Sequence, residues 1–108
     1  MKLYEYHIDE NNHLACATVE TADMPKTYYP AGGRFSRILK SQVGTVMGKT
    51  TDPTVYLLEE DRENAENIFA DFLISELEKI NTQIRELTSI RNDIAKKIII
   101  LGGQTTNE

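Results

Sequence analysis

The stretch LISELEKINTQIRELTSIRNDIAKKIIIL, residues 73–101, decides how the rest of the chain must be read. Apolar residues recur along it at alternating steps of four and three: Leu73, Leu77, Ile80, Ile84, Leu87, Ile94, Ile98 and Leu101. That is the spacing of a coiled-coil seam, in which the first and fourth positions of each heptad, a and d, face a neighbouring helix. Leu77, Ile84 and Ile98 occupy a; Leu73, Ile80, Leu87, Ile94 and Leu101 occupy d; the single charged interruption is Arg91 at a. Neither Gly nor Pro occurs between residues 54 and 101, so the periodicity predicts one unbroken helix over 61–101.

Outward from the seam, the same helix changes character. Ala65, Ile68, Phe69, Phe72, Leu73 and Ile74 form a broad apolar face of the kind that packs on a sheet, and the stripe narrows only from Leu77 onward. The expected division is a β-rich head over 1–60, a helix whose 61–76 portion packs on that head, an oligomerising portion over 77–101, and a frayed tail over 102–108. The competing reading is a helical hairpin that breaks at 81–82 or 88–89. The helix is bounded by clear signals: Asp61 as N-cap with Glu59, Glu60, Glu63 and Glu66 near the positive end of the dipole, and Lys96, Lys97 and Gly102-Gly103 at the other end. A forty-residue helix is roughly 60 Å long, more than a sixty-residue head can cover. Leu77, Ile80, Ile84, Leu87, Arg91, Ile94, Ile98 and Leu101 are therefore the candidate self-association residues, and the chain itself is its first expected partner.

The head reads as four to five short strands, which makes the fold class α+β: a small antiparallel sheet followed by one long C-terminal helix forming an intersubunit coiled coil. Residues 2–9 alternate, with Tyr4, Tyr6 and Ile8 on one side and Leu3, Glu5 and His7 on the other. Asp9-Glu10-Asn11-Asn12 supplies a tight turn, and 13–20 forms the second strand of a hairpin. Residues 21–33 are expected as a loop with a short extended piece at 26–29, residues 34–39 as either a third strand or a helical turn, with the strand favoured, 41–44 as a turn, 45–47 as a brief strand, 48–53 as a loop, and 54–59 as the last strand.

Composition narrows the functional classes. The chain has 108 residues, 40% hydrophobic and 27% charged, which is the balance of a folded protein rather than a disordered one. No 18-residue apolar run and no leader-like N-terminus are present, so a cytoplasmic protein is expected. The single cysteine, Cys16, is expected as a small buried hydrophobe. His7 and His13 lack companions at zinc-ligand spacing, and no phosphate-binding glycine loop or nucleophile-base pattern can be written, so a non-enzymatic protein without cofactor or metal is expected.

The net charge of −5 conceals a division. Residues 24–51 contain no acid but carry Lys26, Arg34, Arg37, Lys40 and Lys49, whereas residues 52–108 hold twelve acids against six bases. One basic segment on an acidic protein argues against duplex DNA as a partner and leaves room for a local anion site. Tyr28, Tyr29, Arg34, Arg37 and Lys40 are the candidates, because guanidinium groups bind phosphate bidentately and tyrosine rings stack on bases. A strand over 34–39 would set Arg34 and Arg37 on opposite faces, so a neighbouring subunit would have to supply one of them.

RILKSQVGTV (37–46) and VYLLEEDRENAENIFADFLISELEKI (55–80) carry a resemblance over about residues 34–80. They resemble small accessory proteins encoded by phages and prophages of Gram-positive bacteria, with a β-rich head, a YLLE strand, an acidic cap and a long helix. The resemblance implies an antagonist of host defence, which would occlude a defence protein or sequester a nucleotide signal as a homo-oligomer. No site residues carry over from it. The alternative is a structural or assembly protein of a phage or mobile element, whose helix only mediates oligomerisation.

Overall fold

A computed structural model describes residues 1–102 of the chain. Six strands precede one helix: β1 (Lys2–Ile8), β2 (Leu14–Asp23), β3 (Thr27–Pro30), β4 (Ile38–Leu39), β5 (Val46–Lys49), β6 (Asp52–Leu57) and α1 (Arg62–Ile100), with a 3-10 turn at Lys40–Gln42 between β4 and β5. The strands form a single sheet in the order β4-β3-β2-β1-β6-β5, every neighbouring pair antiparallel. The fold is α+β, with six strands where four to five are expected from sequence. Two compact units divide the chain, one running Met1–Ile74 and the other beginning at Ser75. The expected tail lies, from position 103 on, outside the described residues.

The alternation of β1 places an apolar cluster on each face of the sheet. Leu3 joins Val19, Tyr28, Ile38, Met47 and Tyr56 on one face, with Phe35 and Val43 packed against them. Tyr6 joins Val55, Leu57, Ala65 and Phe69 on the other, flanked by Tyr4, Ile8, Leu14, Val46 and Ile68. Ala65 and Phe69, one turn apart, bury the first stretch of α1 in that second cluster. Asp61 caps the helix: its carboxylate accepts from the Asn64 N–H at 3.0 Å, while its own N–H donates to the Tyr6 hydroxyl at 2.9 Å. No break occurs at 81–82 or 88–89, so the hairpin alternative is not formed.

The first turn follows its composition. Asn12 takes the left-handed conformation (φ 62°), and the Asp9 carboxylate accepts from the backbone N–H groups of Asn11 and His13, each at 2.9 Å. Elsewhere the strand boundaries differ from expectation. β2 runs on to Asp23 and pairs with β3, and residues 48–53, expected as a loop, close a tight hairpin in which Lys49 faces Asp52. Of the strand expected over 34–39, only Ile38–Leu39 forms. Gly33 (φ 88°) turns the chain inward, and the N–H groups of Arg34 and Phe35 donate to side chains instead of a neighbouring strand. Cys16 is exposed, not buried, because α1 packs over Tyr6, Val55 and Leu57 and leaves this position of β2 uncovered.

Candidate functional site

Glu5 is the centre of the head's polar chemistry. It follows Leu3 on the inward side of β1, is only 4% exposed, and pairs in register with Tyr56 of β6. A buried carboxylate is tolerated only where donors surround it. Here the Tyr56 hydroxyl donates to Glu5 Oε2 at 2.6 Å and the Arg34 N–H donates to the same oxygen at 2.7 Å. The phenol oxygen also accepts from the Phe35 N–H at 3.2 Å, and the Phe35 ring stands edge-on to Tyr56 with centroids 6.2 Å apart. Burial, reinforced by the Glu5 carboxylate, pushes the Tyr56 phenol well above its ordinary pKa, so it stays a donor. Gly33 is required for this closeness, since a Cβ there would lie 2.4 Å from Glu5 Oε2.

Arg34 then turns its side chain to β6. Its Nε donates to the hydroxyl of buried Thr54 at 2.8 Å, and its Nη2 forms an ion pair with Asp52. Arg34, Phe35, Gly48, Lys49 and Asp52 line an open cleft of about 530 Å³. His7, two residues along β1 from Glu5, keeps a buried Nδ1 without a hydrogen-bond partner among the described residues. His13 is exposed.

The five residues expected as a ligand site do not converge on one surface. Tyr28 is 7% exposed and belongs to the core, so its faces are not open to a stacking base, whereas Tyr29, the next residue of β3, is 45% exposed. Lys40 lies 4.9 Å over the Tyr28 ring and pairs with Asp23 at 2.5 Å; that contact raises the Lys40 ammonium above its ordinary pKa. Arg37 is exposed and in no ion pair among the described residues. The basic segment is acid-free in sequence but not in space, because β2 and β6 bring Asp23 and Asp52 to it. Among the described residues no group of three His, Cys, Asp or Glu side chains could hold a metal ion.

No family model, curated protein or solved structure matches the chain.

The second candidate surface lies on α1. Leu77, Ile80, Ile84, Leu87, Ile94, Ile98 and Leu101 are 37% to 82% exposed, and Arg91 in the same row is exposed too. Ile90, Ile99 and Ile100 widen the row and are likewise exposed. Ion pairs border it, Lys79 with Glu76 at 3.1 Å and Lys97 with Asp93 at 2.9 Å. Isolated apolar side chains on a surface need no explanation, whereas these recur at heptad spacing with Arg91 as the one charged interruption.

Glu5, Tyr56, Thr54, Asp52 and Gly33 are the residues that sequence reasoning passed over. One signal was present: Glu5 shares an alternation face with Leu3, and an acid between core positions requires a buried donor.

Proposed function

We propose that this is a non-enzymatic accessory protein that acts as a homo-oligomer, its heads clustered by helix–helix association through Leu77, Ile80, Ile84, Leu87, Ile94, Ile98 and Leu101. The observation that carries the reading is the exposure of that whole heptad row. No head-sized surface of the same chain is needed to bury it, because a second helix with the same row is complementary in kind. In the setting that the phage and prophage resemblance implies, the clustered heads would bind a host defence protein.

A protein target is favoured over a sequestered nucleotide by how the basic segment is used. Arg34 is engaged by Asp52 and Thr54, Lys40 by Asp23, and Tyr28 by the core, so the groups suited to phosphate and base are largely committed. The alternative, a structural or assembly protein, shares the helix and differs only in giving the heads no target.

Sedimentation of the pure protein over a range of concentrations tests the central claim. A mass of two or more chains that falls on dilution is expected, and a monomer at high micromolar concentration refutes it. Melting with a panel of linear and cyclic nucleotides tests the choice of target class: a ligand at a hundredfold excess over its Kd would stabilise by about 2.7 kcal/mol. No shift is expected, and a shift that is lost in Arg34→Ala restores the nucleotide reading.

A further inference from the structure

The row on α1 also carries information about direction. We propose that the second copy of this chain binds antiparallel, with the two-fold axis between Arg85 and Glu86, so that Leu77 meets Ile94, Ile80 meets Arg91 and Ile84 meets Leu87 across the seam. This rests on the self-association reading and adds orientation and register to it.

Two features of α1 select this arrangement. The first is Arg91. In a parallel pair each a position faces its own counterpart, so two Arg91 guanidinium groups would meet inside the seam with no acid beside them. In the antiparallel pair a faces d, and each Arg91 lies against Ile80, its methylene stem covering the isoleucine while the charge reaches water. The second is the flanking charge pattern. The g positions beside the seam are Glu76, Gln83, Ile90 and Lys97, and the e positions include Asn81, Thr88 and Ala95. A parallel pair sets Glu76 beside Asn81, Gln83 beside Thr88 and Ile90 beside Ala95, with no opposite charges in contact. The antiparallel register brings Glu76 of one copy beside Lys97 of the other, twice by symmetry, and Asn81 beside Thr88. Within its own helix the half-buried Glu76 carboxylate pairs with Lys79 and the exposed Lys97 ammonium with Asp93, so each end of the interhelical pair carries the charge the other requires. Sliding the second copy by one heptad in either direction loses the Glu76–Lys97 pairing.

Cross-linking reads the geometry directly. On a Cys16→Ser background, Leu77→Cys and Ile94→Cys proteins are prepared separately and oxidised alone and mixed. A disulfide needs Cα atoms within about 7 Å. In the antiparallel register Leu77 of one copy is about 25 Å along the axis from Leu77 of the other. The expected result is a cross-linked dimer only in the mixture. Self-cross-linking of Leu77→Cys alone means a parallel pair and overturns the proposal while self-association stands. Absence of a cross-link in the mixture, from protein that sediments as an oligomer, overturns the register. A monomeric sedimentation mass for the unmodified chain removes both readings. Charge reversal supplies an independent measure: Glu76→Lys should weaken association about fivefold, and adding Lys97→Glu should restore it. Within one helix these two residues are about 32 Å apart, so recovery in the double variant requires contact between copies. No loss, or no recovery, overturns the register.

Discussion

Replacing Tyr56 by Phe removes one oxygen from the head and should destabilise it more than any comparable surface change. The ring keeps its place in the core, with the edge contact to Phe35 intact. Two hydrogen bonds are lost: the 2.6 Å donation to Glu5 and the 3.2 Å acceptance from the Phe35 N–H. A hydrogen bond to a charged group contributes about 1.5–3 kcal/mol, and a donor left unpaired in the interior costs about 1–3 kcal/mol. The two losses share one site, so the expected cost is about 3 kcal/mol, equivalent to roughly 12–24 °C in the Tm of a domain this size. Urea titration followed by the near-ultraviolet circular dichroism of the tyrosines reads the head, the chain having no tryptophan. The midpoint should fall with the slope unchanged. Tyr29→Phe, on the exposed side of β3, is the control and should shift stability by less than about 0.5 kcal/mol. A loss under about 1 kcal/mol for Tyr56→Phe would refute the view that the phenol holds Glu5 in the interior.

Alkaline pH should weaken the same link. The folded phenol holds its proton above the unfolded value near 10, so the unfolded chain binds fewer protons once pH exceeds about 10, and stability falls by about 1.4 kcal/mol per pH unit from there upward; in Tyr56→Phe, chemical denaturation between pH 9 and 11 should show that increment of slope gone. Gly33→Ala puts a methyl group against Glu5 Oε2 and a side chain at φ 88°, and thermal melting should show a loss of about 2 kcal/mol or more. Asp61→Ala removes the cap on Asn64 and should cost about 1 kcal/mol, read by urea unfolding of the head. Arg91→Leu replaces the charge in the seam and should tighten self-association by tenfold or more, measured by sedimentation on dilution.

What was legible in the chain were the features encoded by neighbours in sequence. The α1 period, the Asp61 cap, the Asp9–Asn12 turn and the alternation of β1 each depend on residues a few positions apart, and local sterics and capping decide them. Of the 34–39 segment only Ile38–Leu39 is a strand, because the backbone donors of Arg34 and Phe35 are taken by Glu5 and Tyr56, 29 and 21 residues away. Long-range pairing of that kind leaves no periodic trace. The same reason defeats the grouping of Tyr28, Tyr29, Arg34, Arg37 and Lys40: proximity in sequence is not proximity on a surface, and acids from β2 and β6 enter a segment that contains none. Cys16 shows the converse, an apolar strand position that stays open because the helix lies over other strands.

The position of β1 in the sheet sets an order of events during synthesis. β1 lies between β2 and β6, so during synthesis one edge of β1 stays open until β6 is complete, and Glu5 lacks the Tyr56 hydroxyl until then. The nascent hairpin β1–β2 can form early, since its contacts are local. Its open edge, with a carboxylate destined for the interior, must wait for residue 57 to leave the ribosome. The heptad row of α1 comes later in the chain than β6 and emerges after it. On the self-association reading proposed above, the sheet can therefore close before the residues that would join two copies have emerged, which sets folding ahead of assembly.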